Sequence, residues 1–302
     1  MSETPANTPA APTPAAPVTA PAANAATATA ATAVPAAPAA PVAAPVKFTS
    51  KPMKIGVVPF LNAQPLIWEM KNHHQLFPVA PNEMGLLLKE GRLDVALAPV
   101  VANFLIPDLK IVPMAAIGSK GPVKSVRLLS NGPLQKVERL FVDNRSQTSV
   151  LLARLILKKW FGAGKVEVKS VDMQTFHPNQ VKPWEAVLQF GDIALEAAPT
   201  GMLVTDLGEE WALRTGKPFV YAVWMARNVQ VAREIENDLL AVKTEGLKHF
   251  AEIANSYPGI WIFHRPQSKE YLEKNINYNY GPEEVRGQQE FQRLLKEEGL
   301  IL

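Results

Sequence analysis

Ser146, Gln147, Thr148 and Ser149 are four consecutive hydrogen-bonding side chains between a strand-like apolar run, Arg139–Val142, and a helix-like one, Thr148–Phe161. Hydroxyls and the unpaired N–H groups of a helix start converge there, which is the chemistry of a carboxylate cradle. The plainer reading is that Thr148 or Ser149 is an N-cap that touches no ligand. Asn62 offers the same pair of readings. In Ile55–Leu66, IGVVPFLNAQPL, a short apolar run breaks at Pro59 and delivers Asn62, with Gln64 nearby, to a helix start. Small ligands of open α/β sheets bind at the carboxyl ends of strands. Ser125 is placed either to face a cleft or to satisfy hinge backbone. Asp192 follows Gly191 at a strand end and either orients a hydroxyl or caps the next helix. Asp206 reads as an N-cap, and Trp211 and Trp224 as core.

Other chemistries lack their residues. There is no cysteine, so disulfides, thiolate metal sites and cysteine nucleophiles are excluded. Gly162-Ala163-Gly164-Lys165 imitates the end of a phosphate loop, but Val166 stands where a Ser or Thr is required. It reads as a helix end and a turn. His73 and His74 are adjacent on an expected helix surface, and His177, His249 and His264 stand alone. No His-x-x-x-His or paired-carboxylate spacing occurs, so no metal site is expected. Nor is there a Gly-x-Ser-x-Gly elbow or a Gly-x-Gly-x-x-Gly loop.

The elements that must position these residues alternate between strand-like and amphipathic runs. Ile55–Pro59 reads as a strand, Gln64–Lys71 as a helix, Leu76–Ala80 as a strand, and Asn82–Glu90 as a helix capped by Asn82. Leu93–Ala98 completes a βαβαβ opening, which implies a parallel sheet with right-handed crossovers. After Lys110–Met114, the alternating run Val123–Ser130 leaves the first lobe. Arg139–Val142, helix Thr148–Phe161, strand Lys165–Lys169, helix Asn179–Leu188, strand Gln189–Asp192 and helix Leu207–Arg214 form a second set. Phe219–Arg227 returns to the first lobe. Val229 to about Ser256 reads as one long helix, and Lys269–Leu302 as helical around a break at Tyr280-Gly281-Pro282. The expectation is a two-lobed α/β clamp of the type II periplasmic-binding-protein class with two crossover strands. Lobe 1 would take residues 47–130 and 223–302, and lobe 2 residues 131–222. Such clamps hold a ligand between the lobes and close by hinge motion.

Residues 1–46 are nearly all Ala, Pro, Thr and Val, with Glu3 the one charged side chain. Frequent proline and little apolar bulk predict a disordered tail. It lacks the Lys/Arg start and Leu/Phe/Val-rich core of a secretory signal, and the expected location is the cytoplasm. The net charge of +3 is modest and its cations are dispersed. No nucleic-acid partner is expected, and no run approaches the roughly 20 apolar residues of a membrane span. A small molecule is the expected partner, with the chain a monomer or homodimer.

Six strings, in order, resemble the chorismate dehydratases of the futalosine route to menaquinone. They are FLNAQPL (Phe60–Leu66), GPVKSVRLLS (Gly121–Ser130), SQTSVLLARLILKKWFG (Ser146–Gly162), FGDIAL (Phe190–Leu195), DLGEEWALRTGKPFVYAVW (Asp206–Trp224) and YGPEEVRGQQEF (Tyr280–Phe291). The resemblance implies a lyase that eliminates water from chorismate to give an aromatic enolpyruvyl-benzoate, with no cofactor. It implies Asn62 and Ser125 as catalytic residues, with Gln147, Thr148, Ser149, Val101 and Asp192 binding substrate. The substrate's own enolpyruvyl carboxylate would take the proton. One departure is Pro99-Val100-Val101-Ala102, where the family often carries Pro-x-Ser; only a backbone N–H near Val101 remains to meet an anion. The rival readings are a solute-binding protein, an inactive or altered-substrate sibling, and the later pathway enzyme that relies on a histidine near the second-lobe helix start, which Ser146–Ser149 lacks.

Overall fold

The computed structural model describes residues 45–258 and 265–302. The expected disordered tail, apart from its last two residues, and His264 lie outside the described residues. Strand β1 (Lys54–Val57) is followed by β2 (Gln75–Pro78), α1 (Pro81–Lys89), β3 (Val95–Pro99), α2 (Val101–Leu105) and β4 (Lys110–Ser119). The chain then crosses into β5 (Val126–Ser130), β6 (Arg139–Val142), α3 (Gln147–Trp160), β7 (Glu167–Ser170), β8 (Glu185–Phe190), β9 (Leu203–Asp206) and α4 (Leu207–Thr215). It returns through β10 (Phe219–Ala226) to α5 (Val229–Gly246), α6 (Phe250–Ser256), α7 (Arg265–Glu270) and α8 (Pro282–Glu297).

Two five-stranded mixed sheets result, ordered β2-β1-β3-β10-β4 and β7-β6-β8-β5-β9. In each, a parallel core (β1 with β2 and β3; β6 with β7 and β8) meets one antiparallel strand, β10 or β5. This is a two-lobed α/β fold. The central strand β3, Val-Ala-Leu-Ala-Pro, is buried at every position, as a strand covered on both faces requires. Edge strand β7, Glu-Val-Lys-Ser, is exposed throughout. Trp211 and Trp224 are fully buried as expected. Trp211 meets Phe219 and Phe291 edge-on at 5.1 and 5.8 Å between ring centroids, so α8 seals the core where the chain returns.

Several local readings give way to tertiary structure. The expected helix Gln64–Lys71 is a 3-10 turn, Leu61–Leu66, followed by another at Met70–Asn72. Pro65 has no N–H to extend an α-helical ladder. Asn82 does not cap α1; Ala80 holds the N-cap place and Pro81 begins the helix, where its missing N–H costs nothing. The expected helix Asn179–Leu188 is a 3-10 turn, Pro178–Gln180, leading into β8. Pro183 interrupts the apparent helical period, and pairing with β5 and β6 fixes the extended form. The long helix after Val229 breaks between Gly246 and Phe250. Asp206 does cap α4, accepting from the N–H groups of Gly208 and Glu209 at 2.9 and 3.0 Å. The same carboxylate takes the N–H groups of Val123 and Lys124, fixing the crossover into β5.

His73 and His74 do not sit on a helix surface. Phe48 stacks on His73 at 4.8 Å, and His74 is buried with Nε2 3.6 Å from Asp238 Oδ2. Asp238 accepts both the N–H and the hydroxyl of Thr49 and of Ser50, at 2.6–3.1 Å, which straps the segment before β1 onto α5. Burial opposes ionisation of Asp238, but those hydrogen bonds outweigh it and hold its pKa below the ordinary value. Burial, reinforced by His73, lowers the His74 pKa to about 4 against the opposing pull of Asp238. His74 Nδ1 accepts the Met53 N–H at 3.3 Å, so the neutral ring carries its proton on Nε2, toward Asp238.

The first lobe's site turn is fixed by helix α5. A Cβ on Gly246 would lie 1.9 Å from the Pro65 carbonyl oxygen, so only glycine lets α5 reach the turn that carries Asn62. Gly246→Ala is therefore expected to destabilise the fold by at least about 2 kcal/mol in denaturant unfolding. A second expectation concerns pH. The unfolded chain protonates His74 near 6.5 and the folded one near 4, so the unfolded state binds more protons between those values. Stability then falls as pH drops through that window, by up to about 3 kcal/mol from this residue. Unfolding curves at pH 7 and pH 4.5 should show this loss in the parent and its absence in His74→Gln.

Candidate active site

Between the lobes lies a half-open cavity with about 570 Å³ of empty space, open solvent included. Its wall takes Phe60 and Asn62 from the turn after β1, Leu97 and Pro99 from β3, and Tyr221 from β10. Val123, Ser125 and Val126 come from the first crossover; Ser146, Thr148 and Ser149 from the start of α3; and Phe190 and Gly191 from the end of β8. Among the described residues, no Asp, Glu, His, Lys or Arg lines it. Its polar groups are hydroxyls, one amide and backbone.

The start of α3 is built to leave donors free. Asp143, nearly buried, accepts the Arg145 N–H and pairs with its guanidinium, while the Ser146 N–H reaches the Asp143 carbonyl. This turns the chain from β6 into the helix. Ser146 holds the N-cap place but accepts no hydrogen bond from the helix; its hydroxyl donates to Ser149 Oγ at 2.8 Å. Thr148 is 2% exposed and its Oγ1 has no hydrogen-bond partner among the described residues. The first bond of the helix is from Val150 N–H to the Ser146 carbonyl, so the earlier N–H groups remain available to a ligand. Capping therefore does not explain these hydroxyls. A buried hydroxyl without a partner costs about 1–3 kcal/mol, and an anion at this helix start would satisfy it.

Asn62 does not cap its turn either. Phe60 occupies the N-cap place, and Asn62 donates from Nδ2 to the Tyr271 hydroxyl at 3.1 Å, leaving Oδ1 buried without a partner among the described residues. Gln64 is turned back onto the Phe60 carbonyl. Ser125, 1% exposed, joins Asn62 as a hydrogen-bond partner of Tyr271. Burial raises the Tyr271 pKa above its ordinary value, partly offset by those two bonds, so Tyr271 is a neutral phenol. Tyr221 is likewise held neutral by burial, with its hydroxyl 3.4 Å from Ser119 Oγ.

Of the residues read from sequence, Asn62, Ser125, Thr148 and Ser149 share this wall; Gln147, Val101 and Asp192 do not. Gln147 leads α3 but its side chain lies outside the wall. Val101 is fully buried in α2. Asp192 neither caps a helix nor meets the cavity: Gly191 holds the cap place, and both carboxylate oxygens are taken by protein donors. Tyr271 and Tyr221 were not legible as site residues. Tyr271 lies 209 positions from its partner Asn62, and Tyr221 reads as one position of an alternating strand.

Residues 53–297 match the family described as menaquinone biosynthesis. The chain is 26% identical over 234 residues to the chorismate dehydratase of Thermus thermophilus, covering 68% of this chain and 82% of that one. Among solved structures it resembles protein AF1704 of Archaeoglobus fulgidus, with a TM-score of 0.68 at 14% identity, covering 82% of this chain and 98% of that one. The periplasmic aliphatic sulphonate binding protein SsuA of Escherichia coli follows, with a TM-score of 0.58 at 16% identity over 84% and 94% of the two chains. The fold is thus that of the periplasmic binding proteins. The chain belongs to the menaquinone biosynthesis family. Among the described residues no helix is long and apolar enough to cross a membrane.

The free hydroxyl at α3 makes a prediction that separates ligand cradle from cap. Thr148→Val keeps the shape and removes only the unpartnered oxygen. Its unfolding free energy should stay level or rise slightly, whereas loss of a working cap would cost about 1 kcal/mol.

Proposed function

We propose that this member of the menaquinone biosynthesis family is a chorismate dehydratase, eliminating water from chorismate to give 3-[(1-carboxyvinyl)oxy]benzoate. The observation that carries the reading is the cavity wall itself: neutral donors arranged around the cleft, with no carboxylate, imidazole, amine or guanidinium among the described lining residues. Chorismate brings two carboxylates. One is assigned to Thr148, Ser149 and the free N–H groups of α3, where the helix dipole adds its field. That is the ring carboxylate, toward which charge moves as the ring proton is lost, so the same donors stabilise the transition state.

The remaining chemistry is then internal to the substrate. The enolpyruvyl carboxylate takes the proton from the ring carbon that bears the enolpyruvyl oxygen. The electrons of that C–H bond move into the ring, and the neighbouring hydroxyl departs as water once protonated. Aromatisation supplies the driving force. Asn62 and Ser125, tied together through Tyr271, hold the substrate so that hydroxyl and carboxylate keep their places. Asn62 Oδ1, unpartnered in the cavity wall, is positioned to accept from the departing hydroxyl. The apolar walls of Val58, Leu97, Ile117 and Phe190 exclude water and strengthen each of these contacts. Val101, fully buried and absent from the cavity wall, gives the reading no support as a substrate contact.

The test is incubation of the purified chain with chorismate, followed by mass and absorbance. Loss of one water with the absorbance of a substituted benzoate is expected. Asn62→Ala and Ser149→Ala should each lower turnover by roughly 10²-fold. Unchanged chorismate that still raises the melting temperature would instead identify a binding relative, and full activity in both variants would reject this site.

A further inference from the structure

Asp192 stands at the seam of the two lobes and is absent from the cavity wall. It follows β8 in the second lobe, yet its contacts are with the first. Oδ1 accepts the Leu61 N–H at 3.1 Å, across 131 positions of sequence, and Oδ2 accepts the Tyr257 hydroxyl at 2.5 Å. The Tyr257 hydroxyl also lies 2.9 Å from the Pro59 carbonyl, beside the same turn. Leu61 is the residue before Asn62. On the other side, the Gly191 N–H donates to the Ser125 carbonyl at 2.9 Å. Gly191 thus extends the β8–β5 pairing that carries Ser125, while Asp192 reaches across to the turn that carries Asn62.

Gly191 makes the grip close. Its φ of 72° is in the left-handed region, and a Cβ there would lie 2.9 Å from the Phe60 ring. Phe60 and Phe190 meet edge-to-face at 5.9 Å, and both line the inner cavity and an outer one of about 1040 Å³ of empty space. Arg145, Asp143 and Asp192 border the outer space, whereas the inner wall is neutral. The seam is the partition between them.

We infer that Asp192 is a positioning residue: with Tyr257 and the Leu61 N–H it clasps the lobes shut and sets Asn62 against the donors of α3. The inference rests on the dehydratase reading for its substrate, but the clasp is a property of the chain alone. An ionised carboxylate suits it, because both oxygens act as acceptors. The asparagine replacement keeps one acceptor and loses the other, and Tyr257→Phe removes the donor while keeping the ring.

The experiment uses the absence of native cysteine, so spin labels can be placed at Lys89→Cys in the first lobe and Lys169→Cys in the second without a background. Inter-label distances are measured in the full chain, without and with chorismate, alongside KM and kcat. The parent should populate one short distance with chorismate. Asp192→Asn and Tyr257→Phe should each shift population to a longer one, raise KM by roughly tenfold and lower kcat. Combined, the two changes should cost little more than either alone, since they break one contact. A residue that only stabilised its lobe would lower the melting temperature and leave the distances and the split between KM and kcat unmoved. Unchanged distances and kinetics in Tyr257→Phe, which has the least reason to misfold, would overturn the clasp. A clasp seen in the distances without turnover of chorismate would leave it standing and reject the dehydratase reading instead.

Discussion

The first N–H groups of any α-helix have no partner inside it, and the way α3 treats its own decides what the cleft can hold. At α4 the same problem is solved internally, by Asp206. At α3 the N-cap hydroxyl of Ser146 turns to Ser149, and Thr148 Oγ1 is left buried and unpartnered. An anion completes that arrangement without a cation beside it. The rest of the second lobe serves this end: β6 brings the chain in, Asp143 bends it, and β8 returns it to the seam.

The first lobe supplies the opposing face by a different route. Its turn is too short and too constrained by Pro65 to form an α-helix, and its place is set from outside by the glycine contact of α5. Asn62 then has its donor fixed by Tyr271 and its acceptor unclaimed. Two faces of neutral groups can act on one substrate only if the lobes meet in one register. The seam at Gly191 and Asp192 is where that register is physically held.

Four residues of the candidate wall, Asn62, Ser125, Thr148 and Ser149, were legible because their surroundings are local. A polar quartet after a strand and an asparagine after a broken strand announce themselves by spacing, and six ordered strings gave the family. Secondary structure was legible where burial is simple, as in β3, β10 and α4. It failed at residues 179–188, where an apparent helical period is overridden by strand pairing, and at His73 and His74, whose burial depends on a segment strapped across them by Asp238. Tyr271, Tyr221 and Tyr257 were invisible as site or seam residues for the same reason. Each acts through a partner far along the chain, and no local pattern encodes such a meeting. Asp192 was singled out, but for contact with substrate; its oxygens are in fact spent on the opposite lobe.

The central claim is that the cavity's neutral donors hold a substrate that supplies its own base, and the pH dependence of kcat on chorismate tests it most directly. With no Asp, Glu, His, Lys or Arg among the described residues of the wall and the phenols of Tyr221 and Tyr271 held neutral by burial, kcat should be level from about pH 6.5 to 9, because chorismate's carboxylates are ionised throughout. A limb in kcat with an apparent pKa within that range would reveal a protein base or acid and contradict the account, as would the absence of any product.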